Sequence, residues 1–251
     1  MEATELLKKR FRELADKSYN SGIYLFTDFL GLADQALFAE IKQSISHVPY
    51  TAFGGESGCE RVMIRFGDEE SLGYTESFPI VCIKAEPVSQ KFADKLTHRD
   101  FLGALLNLGI ERSTLGDIAI ADNVGYIFAK EDIAPFIVSE LKRVKHTDVK
   151  LSITENIPTG KLFQTERRKI QAVGERIDAV IAKVFSISRS ECSALFSKRL
   201  VYVCGRLCEN TSYTPKREEV ISVRGYGRFI YHGYETTSKK GKLNIEVELY
   251  T

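Results

Sequence analysis

The chain has 251 residues, 43% of them hydrophobic, with 35 Lys and Arg against 34 Asp and Glu for a net charge of +1. This composition excludes a disordered or fibrous chain and suits two or three small globular domains. No apolar run reaches the length of a membrane span, and Met1 to Arg10 is a charged amphipathic stretch without a signal-peptide core, so a cytoplasmic protein with no membrane partner is expected.

Residues 2–20 place Leu7, Phe11, Leu14, Ala15 and Ser18 on one helical face, and Asp28 to Ile45 reads as a second helix with Ala33, Leu37, Ile41 and Ile45 inward. Thr51 to Phe53 and Arg61 to Phe66 read as a hairpin joined by Gly54-Gly-Glu-Ser-Gly58. That glycine run lacks the Gly-Lys-Ser/Thr ending of a phosphate cradle and no helix follows it, so it reads as a plain loop. After the acidic stretch from Gly67 to Ser77 come strand Ile80 to Ala85, helix Thr97 to Leu108, strands Asp117 to Ala121 and Gly125 to Ala129, helix Glu131 to Arg143, and strand Val149 to Ile153. This βαββαβ order is that of the split plait of many RNA-recognition domains. Tyr126 and Phe128 on its third strand suit either base stacking or ordinary sheet packing. Thr97-His-Arg-Asp100 contains the His-Arg-Asp of kinase catalytic loops, but no Asn stands at the required spacing and no Asp-Phe-Gly follows. Thr97 and Asp100 read instead as helix caps, leaving His98 and Arg99 exposed at a helix start.

Residues 155–166, with Pro158 and Gly160, read as a linker. Beyond it the charge changes sign: residues 161–251 carry 17 Lys and Arg against 10 Asp and Glu, while residues 1–160 carry 18 against 24. An anionic partner is therefore expected at the basic end. There Ile177, Val180, Ile181 and Val184 mark one helix, and Ser188 with Glu191 caps a second that buries Cys192, Leu195 and Phe196. Free amides at the second helix start, beside Arg189, suit a phosphate. Lys198 and Arg199 close that helix, Val201 and Val203 alternate as a strand, and Gly205-Arg206 turns the chain. A second strand, Val220 to Val223, runs into Arg224-Gly-Tyr-Gly-Arg228, and alternating Leu243, Ile245, Val247 and Leu249 complete a hairpin around Ser238-Lys-Lys-Gly-Lys242. The five cysteines form no C-x-x-C pair, so neither a metal site nor a cofactor is expected.

This basic stretch resembles the RNA-binding domain first described in ribosomal protein S4, through Arg176-Ile-Asp178, Ser188-Arg-Ser190, Val201-Tyr-Val-Cys-Gly205 and Val220-Ile-Ser-Val223. It departs at turns: Cys204 replaces the usual Asn, Leu200 a Gly, and Glu218-Glu219 a Gly-Asp. A longer block, Lys95 to Ile118, with Phe53-Gly-Gly before it and Ile221 to Phe229 after it, resembles the bacterial YlmH family over nearly the whole chain. The resulting expectation is an α+β chain: a small N-terminal helix-hairpin domain (1–75), a central βαββαβ RRM-like plait (76–156), and a C-terminal S4-type RNA-binding domain with a terminal β-hairpin (165–251).

What the family resemblance implies is a noncatalytic RNA-binding factor on the large ribosomal subunit carrying peptidyl-tRNA. It would act in ribosome-associated quality control, where stalled chains receive alanine tails. Its partners would be rRNA and tRNA, with other quality-control factors and no small-molecule substrate. The RNA-binding residues expected are Arg176, Ser188, Arg189, Ser190, Lys198, Arg199, Arg206, Arg224, Tyr226 and Arg228, with His98 and Arg99 as a secondary contact. Two alternatives stand beside it. An RNA-modifying enzyme with an appended S4 domain would need a catalytic residue, and none is legible: Gly205-Arg-Leu207 is followed by Cys208, where a pseudouridine synthase needs Asp. A cell-division scaffold would use the acidic part for protein contacts.

Overall fold

A computed structural model of the chain describes residues 2–158, 162–163, 165–238 and 241–250; Gly160, Lys239 and Lys240 lie outside these. Its helices accompany three antiparallel sheets, and the chain divides into two units, Met1–Phe163 and Gln164–Thr251. Residues 1–75 and 76–156, expected as separate domains, fall together in the first unit.

The first unit begins with α1 (Glu2–Ser21), β1 (Leu25–Phe26), α2 (Leu32–Ile41), β2 (Tyr50–Phe53), β3 (Met63–Phe66) and the single turn α3 (Glu69–Leu72). Phe11 of α1 meets Phe38 of α2 edge-on, ring centroids 5.4 Å apart, over buried Ile64 and Phe66 of β3. The second helix is shorter than its apolar pattern suggested. The Thr27 amide donates to the Ile64 carbonyl (2.9 Å) and Leu30 bridges Val62, so Asp28 to Leu30 extend the sheet and the helix starts past Gly31. Its buried positions are Phe38 and Ile41, while Ala33 and Leu37 are only half-buried.

The larger sheet has the order β5-β6-β4-β8-β7, formed by β4 (Ile80–Pro87), β5 (Leu115–Ala121), β6 (Val124–Lys130), β7 (Arg143–Val144) and β8 (Thr147–Thr154). One face carries α4 (His98–Asn107) and α5 (Ala134–Glu140), whose Phe101, Leu105 and Ile137 pack on Ile83, Ile127 and Leu151. Full burial of side chains of this size is worth roughly 1.5–3 kcal/mol each. The expected helix from Glu131 to Arg143 contracts to α5 because Arg143 and Val144 pair with β8, so the chain leaves the helix at Leu141. On the other face Tyr126 and Phe128 are buried with Cys59, Ile80, Leu162 and Phe163, which closes that face around them to base stacking. The glycine loop is what covers it: Gly55 sits at φ +104°, and a Cβ there would lie 2.3 Å from the Phe128 ring.

One buried polar cluster joins the small sheet to the large one. Asp117 of β5 accepts hydrogen bonds from the Glu60 and Arg61 amides. The Arg61 guanidinium donates to the carbonyls of Leu115 (2.9 Å), Phe29 (2.8 Å) and Arg112 (3.1 Å). Arg112 in turn donates to Leu115 (2.7 Å) and Gly116 (2.9 Å), and burial brings its pKa down to about 10. These bonds, together with the glycine loop packed on Phe128, connect the two sheets within the first unit.

The second unit is a six-stranded sheet of order β11-β10-β12-β13-β14-β9. Its elements are β9 (Thr165–Ala172), α6 (Ile177–Val184), α7 (Arg189–Ser197), β10 (Val201–Val203), β11 (Arg206–Leu207), β12 (Glu219–Val223), β13 (Gly227–Thr237) and β14 (Leu243–Tyr250). Ile177, Val180, Ile181 and Val184 of α6 and Cys192, Leu195 and Phe196 of α7 are all buried, against Val201, Ile221, Phe229 and Val247. Strand β9 escapes a reading by alternation because Glu166-Arg-Arg-Lys169 is charged throughout; it lies at the sheet edge, mostly exposed.

Candidate nucleic-acid interface

The two helix starts of the second unit meet at one carboxylate. Arg176 precedes α6 and donates through Nε and Nη2 to the two oxygens of Asp178, both at 3.1 Å. Arg189 opens α7 and donates from Nη1 to Asp178 Oδ2 at 3.2 Å. The Asp178 side chain is only 11% exposed, against 50% for Arg176 and 58% for Arg189. A buried acid therefore holds two guanidiniums whose remaining surface is open to water. Fixing both before a ligand arrives lowers the ordering cost of binding an anion.

At the start of α7 the expected Ser188–Glu191 cap is formed. Ser188 Oγ accepts from the Glu191 amide (3.2 Å), and Glu191 Oε2 accepts from the Ser188 amide (2.8 Å) and hydroxyl (2.7 Å), with Ser190 Oγ 3.0 Å from Ser188 Oγ. The Glu191 pKa is lowered by these bonds to Ser188, so a negative charge stands at this helix start. Ser188 is a helix cap with its hydroxyl engaged, so an anion approaching this helix start would meet the Glu191 carboxylate as well as the Arg189 guanidinium.

The remaining candidates gather around the strand turns. Lys198 and Arg199 end α7, where Arg199 takes a left-handed φ of 57° and the Leu200 amide returns to the Leu195 carbonyl (3.0 Å). Leu200 itself accepts from the Arg224 amide (2.9 Å), so Arg199 and Arg224 are neighbours through the backbone; Arg199 Nε also lies 3.6 Å from Glu209. Arg224 stands over the Tyr202 ring at 4.6 Å and Arg228 over the Tyr250 ring at 3.9 Å. Tyr202, Ser222 and Arg228 are cross-strand partners on the face away from the helices. Tyr226, exposed on the hairpin turn, lies 5.7 Å from Phe185. Arg206 is exposed on the edge strand β11. The expected arginines thus form two groups, one on Asp178 and one around the turns at 199–206 and 224–228.

Two departures from the S4 pattern take on a backbone meaning. Val203 pairs with Arg206, leaving Cys204-Gly205 as a two-residue loop with φ of 47° and 74°, the type I′ geometry in which Asn-Gly is favoured. Cys204→Asn should raise stability by about 0.5–1 kcal/mol, read as a higher melting temperature, because Asn tolerates the left-handed region better than Cys. Glu218 also sits left-handed, at φ 67°, while the Glu219 carboxylate accepts from the Tyr213 hydroxyl (2.8 Å) and the Lys216 amide (2.9 Å).

Glu218 is held from across the sheet by His232, whose Nδ1 lies 2.8 Å from Glu218 and whose Nε2 lies 2.9 Å from Glu248. Burial alone would lower the His232 pKa, but the hydrogen bonds and charges of the two glutamates outweigh it and leave it above 6.5. A raised folded-state pKa makes this contribution complete below pH 6.5 and lost as pH rises through the folded value. The melting temperature of the wild type should therefore fall over that window relative to His232→Gln, which has no group to titrate there.

In the first unit His98 and Arg99 lie exposed in the first turn of α4, where Thr97 and Asp100 form a capping box. Hydrogen bonds from Thr97 lower the Asp100 pKa. Sequence reasoning missed Asp178 as the organiser of the arginine pair. Its signal was present: an acid at the second position of a helix whose only other charge is Lys183, two residues after Arg176. The pairings with Tyr202 and Tyr250 had no local signal, since they depend on strand register.

Comparison with known proteins places an RNA-binding label on another part of the chain. Residues 75–157 match the family described as "Putative RNA-binding domain in YlmH". The chain is similar to the ribosome-associated protein quality control protein P2 of Bacillus subtilis (strain 168), at 27% identity over 229 residues, covering 88% of this chain and 86% of that protein. It is also similar to a solved structure, the cell division protein ylmH from Streptococcus pneumoniae, with a TM-score of 0.48 at 21% identity over 60% of this chain and 90% of the other.

Proposed function

From the membership of this chain in the YlmH family, we propose that it is a noncatalytic, cytoplasmic RNA-binding factor of ribosome-associated quality control. It would bind the large ribosomal subunit that still carries peptidyl-tRNA, touching rRNA and tRNA while the stalled chain is extended with alanine. The observation that carries this reading is the arginine pair fixed on Asp178: two half-exposed guanidiniums, pre-ordered by one buried acid, in the basic unit of the chain. The likeness to a quality-control relative, over 88% of this chain and 86% of that protein, supports this reading. The succession α6, α7 and β10 to β13 supports reading the second unit as an S4-type domain. The strand order β5-β6-β4-β8, with α4 and α5 on one face, supports reading residues 76–156 as a split βαβ plait of RRM type.

The role is holding rather than bond-breaking. Arginine forks grip phosphate oxygens in pairs and keep a tRNA position occupied without a reacting group. Cosedimentation with purified large subunits, with and without peptidyl-tRNA, tests it. Preferential binding to the tRNA-bearing particle is expected; equal retention on both particles, or on neither, would contradict it.

A further inference from the structure

The segment that matches the RNA-binding family has no aromatic platform on its sheet, because Tyr126 and Phe128 are both buried. RNA meeting this segment needs another surface. On the helix side, α4 and residues 140–145 border an open groove of about 640 Å³ lined by Arg99, Lys142, Arg143 and Lys145, with Asp100 and Glu140 as its acids. Four cations against two acids leave a net +2. Asp100 is already held by Thr97 and lies 3.8 Å from Lys145, and the Arg143–Asp148 pair at 3.7 Å is solvent-exposed and therefore weak.

The loop between β4 and α4, which leads into the helix that borders the groove, carries Phe92, which at 81% has the highest exposure of the large hydrophobic side chains among the described residues. Lys91 Nζ lies 5.5 Å from its ring centroid. The loop is firmly tied. The Asp94 amide donates to Thr147 Oγ1 (2.8 Å) and the Asp94 carboxylate accepts from the His146 amide (3.1 Å). Asn123 donates to the Asp94 carbonyl (2.9 Å) and accepts from the Leu96 amide (2.9 Å). These bonds tie Asp94, two residues after Phe92, to the β7–β8 turn, whose Lys145 lines the groove. An open aromatic ring on a tethered loop beside a cationic groove matches the two demands of unpaired RNA, phosphate neutralisation and a surface for a base.

We propose that the groove between α4 and β7, with Phe92 at its margin, is a second RNA site, in which unpaired RNA lays its phosphates along Arg99, Lys142, Arg143 and Lys145 and stacks a base on Phe92. The inference rests on the reading of the chain as an RNA-binding factor and adds where the central segment grips.

The test uses the full chain and a short labelled single-stranded RNA of mixed sequence, titrated over a salt series. Arg99→Ala with Arg143→Ala should weaken binding and reduce the magnitude of the log–log salt slope by about 1.4, roughly 0.7 for each phosphate no longer neutralised. Phe92→Ala should weaken binding about 5- to 150-fold with the slope unchanged, since stacking releases no counterions. Restoring charge with Arg99→Lys and Arg143→Lys should recover the slope. Wild-type affinity and slope in the groove and Phe92 variants, with loss confined to Arg176→Ala and Arg189→Ala, would overturn this site and leave the RNA-binding reading standing. No binding of this RNA by the wild type, with its retention on tRNA-bearing subunits intact, would overturn this site alone; loss of both would overturn both. Unchanged RNA affinity together with weakened capture of an acidic polypeptide would overturn the assignment in favour of a protein ligand.

Discussion

Replacing Arg176 and Arg189 together by alanine should lower affinity for the tRNA-bearing large subunit by roughly 100-fold or more, since each hydrogen bond to a charged group is worth about 1.5–3 kcal/mol. The salt slope should also become shallower by about 1.4–1.8, because two phosphates are no longer neutralised. The change has a second consequence within the fold. Asp178 is nearly buried and both arginines bind its carboxylate, so the double variant strands a charge and should lose stability as well. Adding Asp178→Asn removes the stranded charge and should recover much of the melting temperature while leaving RNA affinity low. That divergence separates a binding role from a purely structural one. Recovery of affinity in the triple variant would show that the arginines serve only the fold.

Asp117→Ala should be the most damaging single change in the first unit. It removes the acceptor of the Glu60 and Arg61 amides and the charge facing two half-buried guanidiniums, at a cost of about 2–3 kcal/mol. Asp117→Asn keeps an oxygen and should cost less. The loss should appear as a lower denaturation midpoint of the first unit, with the second unit unfolding as before. An unchanged midpoint would mean that the remaining contacts, the Arg61–Arg112 carbonyl bonds and the glycine loop on Phe128, join the two sheets without Asp117.

What the sequence disclosed followed from periodicity and caps. The apolar stripes of α6 and α7 could be read directly, because Ile177, Val180, Ile181 and Val184 recur at helical spacing and Ser188 with Glu191 signals a start. The start of α2 could not be read, because Asp28 to Leu30 are captured by long-range pairing with β3 rather than by local propensity. The acidic run of α3 offered no apolar spacing, and β9 no alternation, so neither helix nor strand was visible there. At the candidate interface the arginines were legible as charge and glycine context. Their organisation was not: the convergence on Asp178 depends on how α7 crosses α6, and the Arg224–Tyr202 and Arg228–Tyr250 stacks on the packing of strands and turns. The groove beside α4 was partly visible, as Arg99 at a helix start. Lys142, Arg143 and Lys145 join it only because the chain turns back into β7, where sequence reasoning continued a helix.

The most direct test of the central claim is the salt dependence of wild-type binding to large subunits that carry peptidyl-tRNA. Gripping phosphates predicts a linear fall of log K with log salt, with a slope of about −1.4 or steeper from the Asp178-held arginines alone. A slope near zero would contradict the account, because no binding built on these arginines can be indifferent to the ions it displaces.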